Sequence, residues 1–155
     1  MDTVALLREF SAAVEAEDSA RFASLFAEDG VYHDVFYGEF VGRARIAAMI
    51  DEWFRRDATD FRWDMLDPVC DGVTLYARYL FSYRSKLPEA MGKRAMFEGV
   101  SIMTLRDGSI LSYREVAHTT PGLADMGFAP ERIARIAAKE GAALRRRDEA
   151  ARHLG

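Results

Sequence analysis

The chain has 155 residues, half of them hydrophobic, and a formal net charge of −4. That is enough apolar material to close one core in one domain. Mild acidity is the wrong footprint for a nucleic-acid module, so no nucleic-acid partner is expected. The one cysteine, Cys70, cannot form an internal disulfide, and with three scattered histidines it builds no zinc cluster. Neither a metal nor a cofactor is expected. No apolar run approaches the ~20 residues of a membrane span, and no signal peptide follows Met1-Asp2-Thr3. The expectation is a soluble cytoplasmic protein with no membrane partner.

Residues 3–17 carry Val4, Leu7, Phe10 and Val14 at helical spacing. Asp18 is placed to cap a second, shorter helix with the apolar set Phe22, Leu25 and Phe26. Asp29-Gly30 ends it. Residues 31–36 then read as a strand. By alternation Tyr32, Asp34 and Phe36 share one face, and Val31, His33 and Val35 the other. A carboxylate between two aromatic rings suits the wall of a pocket for a mostly apolar ligand with one reactive polar atom. Residues 37–42 make a turn and a short return strand, and a third helix follows from Arg43 through Ile46, Met49, Ile50, Trp53 and Phe54.

From residue 60 the pattern alternates. Strands are expected over 60–69, 73–86, 94–106 and 110–118, with tight hairpins at Asp71-Gly72 and Asp107-Gly108 and a loop over 87–93. Helices first and a long-stranded antiparallel meander second imply an α+β fold, with helices on one face of a curled sheet. Residues 119–129 read as a loop, and Pro130 opens a last helix with a weak stripe of Ile133, Ile136, Ala137 and Leu144. Its basic end, Arg145-Arg146-Arg147, is interleaved with acidic residues, which fits a solvated face or a cover over a partner subunit.

Three segments carry a resemblance: 26–34 (FAEDGVYHD), 42–46 (GRARI) and 107–115 (DGSILSYRE). With the helix–strand–helix–meander order they resemble the nuclear-transport-factor-2-like superfamily. Within it, residues 1–118 are most similar to the SnoaL-like polyketide cyclase, ketosteroid-isomerase and limonene-epoxide-hydrolase branch. The resemblance implies a cone: a curled antiparallel sheet with three N-terminal helices on its concave face. Here a loop and an extra C-terminal helix (119–155) would belong to the same domain. It implies the carboxylate base of the isomerases at Asp34, with their second acid falling near Ser101. It matches Arg78 to the arginine of the epoxide hydrolases and Glu115 to one of their acids, the other falling at about Leu80. It also makes Tyr32, Asp34 and His118 a loose version of a dehydratase set.

Asp34 is therefore the candidate base; the alternative is a carboxylate that caps a turn or binds Arg43 or Arg45. Arg78 and Glu115 are expected to pair, as a polar anchor at the pocket floor or as a structural salt bridge. His118 is a fourth candidate for proton transfer. It points away from Glu115 if the strand is regular. Tyr32, Tyr76 and Tyr113 can orient a ligand, and Phe36, Trp53 and Trp63 can wall it. Tyr79, Phe81 and Tyr83, opposite Arg78, read as a sheet-to-sheet homodimer contact, and His33 as packing or dimer surface. The functional expectation is a cofactor-free isomerase, cyclase or dehydratase that moves a proton beside a carbonyl of a small apolar molecule. The rivals are a non-catalytic ligand-binding or dimerisation domain and an epoxide-hydrolase-like activity.

Overall fold

The computed structural model describes residues 2–155. Helix α1 (Thr3–Glu15) begins where the Asp2 carboxylate accepts the Val4 and Ala5 amides, each at 3.0 Å, and buries Leu7, Phe10, Ala13 and Val14. Asp18 caps α2 (Ser19–Ser24) through the Arg21 amide at 3.0 Å. This helix is shorter than its apolar spacing implies. Phe26 leaves it to open β1 (Phe26–Asp34), pairing with Ile110, and the Ile110 amide donates to Leu25 O at 2.9 Å. Sheet hydrogen bonds thus override helical propensity.

Strand β2 (Gly38–Val41) returns antiparallel on β1, with Asp34 opposite Gly38. Helix α3 (Arg43–Ala48) then runs through a π-helical segment (Met49–Phe54) into the single turn α4 (Arg55–Asp57). Ile46, Met49, Ile50 and Phe54 are buried, while Trp53 sits at the edge of the stripe.

Four long strands follow: β3 (Ala58–Cys70), β4 (Thr74–Ser85), β5 (Arg94–Arg106) and β6 (Ser109–His118). A 3₁₀ turn (Pro88–Ala90) lies between β4 and β5. At the second hairpin Asp107 (φ +50°) and Gly108 (φ +81°) both take the left-handed conformation that a two-residue turn demands. The six-stranded sheet has the order β2-β1-β6-β5-β4-β3. It is curled and open. It is antiparallel except at β1–β6, which pair in parallel because the chain passes through the helix and the whole meander before returning beside β1. The expectation of a wholly antiparallel sheet is corrected at that one pairing.

Helix α1 lies across the concave side of β3. Phe10 is the hub of the main core, within 4.8–5.2 Å of the Phe22, Trp63 and Tyr113 rings. The segment expected as a loop contains α5 (Thr120–Asp125), and α6 (Pro130–Arg145) follows, ending in a 3₁₀ stretch (Asp148–His153). Helix α5 packs Leu123 and Met126 with Phe97, Ala95 and Ala90 in a smaller second core. It approaches β5 so closely that a Cβ on Gly122 would lie 2.3 Å from the Phe97 ring. Among the described residues no helix is long and apolar enough to cross a membrane.

One irregularity decides what the cone encloses. From the hairpin, Arg106 pairs with Ser109 and Leu105 with Ile110; Thr104 then pairs with Ser112, so Leu111 is an extra residue on β6. Beyond this bulge Ser101 faces Glu115, and Ala77 faces Ser101. A regular strand would have set Glu115 opposite Val100, in line with Arg78.

Candidate active site

A cavity of about 300 Å³ opens between the concave sheet, the turn after β1 and the C-terminal helices. Its wall is mainly aromatic: Phe36, Phe61, Trp63, Phe81, Tyr83 and Phe97 all border it. Four carboxylates border it, Asp34, Asp57, Glu115 and Glu140, and of these Asp34 and Glu115 are the two that burial pushes upward.

Asp34 ends β1. Its Oδ1 accepts the amides of Phe36 (2.8 Å) and Tyr37 (2.9 Å), which turns the chain and prevents the strand from continuing. Burial pushes the Asp34 carboxyl above its ordinary range. The two amide bonds and the Lys139 charge oppose that push without cancelling it.

Glu115 sits deeper in the sheet. The hydroxyls of Tyr79 (2.5 Å) and Tyr113 (3.2 Å) both donate to its Oε2. Burial, reinforced by the negative charge of Asp34, pushes the Glu115 carboxyl up to about 8 against the stabilising effect of the two phenols. The Asp34 charge is one of the causes that raise Glu115, so of the pair Glu115 is the group that holds its proton into the neutral range. Tyr113 is fully buried behind this group, its ring stacked on Tyr32 at 4.4 Å and 12°.

At the rim, the Tyr37 hydroxyl donates to Asp57 Oδ2 at 2.6 Å, and Arg56 grips the same carboxylate with two bonds of 2.7 Å. Arg56 holds the Asp57 carboxyl below the usual range. Helix α6 covers the opening with Arg132, Ile136, Lys139 and Glu140. Lys139 Nζ donates to Phe36 O at 3.2 Å, and the Thr119 hydroxyl donates to Glu140 at 3.1 Å. The last helix thus closes its own chain's cavity.

Asp34, Glu115, Tyr32, Phe36 and Trp63 all border the cavity, and Tyr113 supports it from behind. Four candidates lie elsewhere. Arg78 is on the outer face, bonded to Asp67 (3.0 Å) and Glu98 (3.3 Å); the bulge at Leu111 separates it from Glu115, and the expected pair does not form. His118 pairs in register with Glu98 and points outward, since three residues along a regular strand reverse the face. Tyr76 shares the outer face and is 45% exposed. Trp53 packs at the edge against Tyr37 and Phe40, with the Arg56 guanidinium 5.0 Å from its ring centre. Conversely Tyr79, Phe81 and Tyr83, expected on a dimer surface, line the cavity. Ser101 is buried with its hydroxyl on Ala77 O at 3.1 Å, and Arg43 binds Phe26 O and Glu28 rather than Asp34. His33 is partly exposed beside Glu39 at 3.3 Å.

Sequence reasoning missed Tyr79, Tyr37, Asp57 and Lys139. Tyr79 was reachable from strand parity once the bulge is known; Lys139 enters only because α6 docks as it does, and no local pattern signals that. Because Arg78 belongs to a solvent-exposed ion pair, Arg78→Ala is expected to leave both the melting temperature and turnover nearly unchanged. Thermal melts beside rate measurements check this. Among the described residues no group of three or more His, Cys, Asp or Glu side chains is placed to hold a metal ion.

The curled α+β architecture is that of the nuclear-transport-factor-2-like superfamily. Residues 7–113 match the SnoaL-like domain, and the chain belongs to that family. Among solved structures it is similar to a protein with a ketosteroid-isomerase-like fold from Catenulispora acidiphila, with a TM-score of 0.71 and 17% identity over 80% of this chain and 93% of that one. An epoxide hydrolase of the limonene type from M. tuberculosis gives a TM-score of 0.65 and 17% identity, over 79% and 87% of the two chains. IdmH of Streptomyces antibioticus, a proposed polyketide cyclase, gives 0.62 and 16%, over 83% and 100%. At these identities the likeness shows the fold alone. No curated protein sequence matches the chain.

Proposed function

We propose that this chain is a cofactor-free enzyme that moves a proton beside a carbonyl group of a small, largely apolar molecule, giving isomerisation, cyclisation or dehydration. The observation that carries this reading is the placement of two carboxylates, Asp34 and Glu115, on one mainly aromatic cavity where burial pushes both upward and Glu115 as far as about 8. Asp34, ionised but desolvated, is the base that takes a proton from the carbon next to the carbonyl. The C–H electron pair becomes the new C=C bond, and the carbonyl π pair moves onto oxygen. Glu115, protonated, supplies a proton to that oxygen, and the enol results. Return of the Asp34 proton to a different carbon, with Glu115 recovering its own, completes an isomerisation. A raised carboxyl suits this work because it narrows the gap to a weak carbon acid. The aromatic wall excludes water and packs against flat apolar surface.

The reading is tested by incubating the protein with a panel of small cyclic ketones in deuterated buffer. Protein-dependent exchange of the hydrogens beside the carbonyl is expected by NMR. Binding to the cavity without any exchange overturns the reading and leaves a ligand-binding domain. That rival draws on the two amide bonds to Asp34, which make it a turn former as well. An epoxide-hydrolase-like reading is weakened because Arg78, on which it depends, lies outside the cavity.

Pairing of two copies through the outer sheet face belongs to the same proposal. Its support is the exposed apolar set Tyr76, Val100 and Val116, which replaces the inward Tyr79 strip. Sedimentation equilibrium is expected to give the dimer mass; a monomer at all concentrations overturns it.

A further inference from the structure

We propose that Tyr79 is the positioning residue of Glu115: laid across β5 in the space that Gly99 leaves empty, its phenol binds Oε2 and leaves Oε1 to carry the proton into the cavity. This rests on the reading of Glu115 as the acid.

The geometry is unusual for a sheet. Tyr79 is on β4 and Glu115 on β6, with β5 between them. Neighbouring strands are ~4.8 Å apart, so the bond spans two strand spacings. A tyrosine bridges that distance only by lying flat over the middle strand. Tyr79 is opposite Gly99, and Gly99 is opposite Ala117, two residues from Glu115 on the same face. A Cβ on residue 99 would stand 2.6 Å from the Tyr79 hydroxyl oxygen and 2.7 Å from the ring carbon that bears it. The phenol therefore occupies the place of a side chain on β5, and glycine is required there for want of space. Trp63, with its ring 5.9 Å away at 67°, supports the tyrosine edge-on.

The consequence follows from counting donors. Tyr79 and Tyr113 both donate to Oε2. A carboxylic acid whose one oxygen accepts two phenol hydrogens keeps its own hydrogen on the other oxygen. Tyr79 is thereby linked to the orientation of the donated proton as well as to its affinity. The groups that face Glu115 are Asp34 and Tyr32 from β1, Tyr79 from β4 and Tyr113 on its own strand. On the cap, Lys139 and Glu140 border the same cavity. Of these, the phenol donors favour the carboxylate form and Asp34 opposes it.

Tyr79→Phe tests the assignment in the full chain. The swap keeps the ring against Trp63 and removes only the hydroxyl. Removing a donor to the carboxylate weakens the acid, so the Glu115 midpoint, followed by carboxyl carbon NMR, is expected to rise by about tenfold in proton affinity. The alkaline limb of the turnover profile should rise with it while turnover at its optimum falls. Tyr113→Phe should move the midpoint less, because its bond is longer. An unchanged or lowered midpoint in folded Tyr79→Phe overturns the assignment; a residue that merely fills space would lower the melting temperature and leave the midpoint where it was. Glu115→Gln separates the two layers of the argument: full turnover in that variant removes the acid role itself, whatever Tyr79 does to the midpoint.

Discussion

Replacing Asp34 by asparagine is expected to lower turnover by about 10²–10⁴-fold, the range that a positioned general base supplies, and to leave the fold intact. The two consequences separate because Asp34 does two jobs. Its Oδ1 accepts the Phe36 and Tyr37 amides, and an asparagine oxygen can accept both, so the turn that closes β1 survives. The base function needs a group basic enough to take a proton, and an amide oxygen, though it accepts hydrogen bonds, is too weak a base at any working pH. The substitution also removes a charge that burial disfavours, so the melting temperature at pH 7 should not fall. Rates of exchange beside a carbonyl, measured with the melting curve, check both halves. Full activity in Asp34→Asn would show that the base is another group.

The second large effect is on stability. Glu115 has an ordinary value of 4.5 and is pushed up to about 8 in the folded chain. Between those two values the folded state keeps a proton that the unfolded state has released. Fewer protons on the unfolded chain mean that stability falls as pH rises. The contribution is fully present below pH 4.5 and is lost as pH climbs through the window to 8, where it levels off. A displacement of that size corresponds to at most about 5 kcal/mol. Asp34 acts with the same sign. Carboxylates held low, such as Asp57, act with the opposite sign, but below their unfolded range and so outside this window. Glu115→Gln cannot ionise, so the variant should overtake the wild type on the alkaline side. Denaturant unfolding of both at pH 5, 7 and 9 measures the difference. A gap between the two proteins that does not change with pH would show that Glu115 titrates normally.

Both effects depend on which side chains enter the cone, and that was only partly legible beforehand. The helix caps at Asp2 and Asp18 act within three residues and each precedes an apolar stripe, so both were within reach of spacing, though only Asp18 was read as a cap. The Asp107-Gly108 hairpin was legible for the same reason: a two-residue turn with both residues left-handed is a property of the turn itself. At Asp71-Gly72 the expected two-residue turn is not formed: only the glycine is left-handed, and residues 71–73 lie between β3 and β4. Asp34 with Tyr32 was visible because both lie on one short strand, where alternation has little room to fail. The end of α2 was misplaced: Asp29-Gly30 was read as its stop, but the helix ends at Ser24 and Phe26 already opens β1, since the partner that claims it, Ile110, is distant in sequence.

Glu115 shows the limit most clearly. Its presence as a candidate came from the chain, but its company did not. A regular β6 would have put it in line with Arg78, and the extra residue at Leu111 moves it to the face of Tyr79. Side chains alternate with a period of two, so one inserted residue reverses every later assignment on the strand. Ile110 and Tyr113, both fully buried though three residues apart, are the trace that the bulge leaves.

The amino-acid sequence by itself determined the likeness to the family, the order of helices and strands as far as β6, the Asp107-Gly108 turn and the acid at position 34, because each is carried by residues close together in the chain. Only the tertiary structure decided that Glu115 meets two phenols, that Arg78 and His118 face outward, and that α6 closes the cavity with Lys139. Those outcomes depend on strand register and on the docking of a helix, and both are settled by partners far away along the chain.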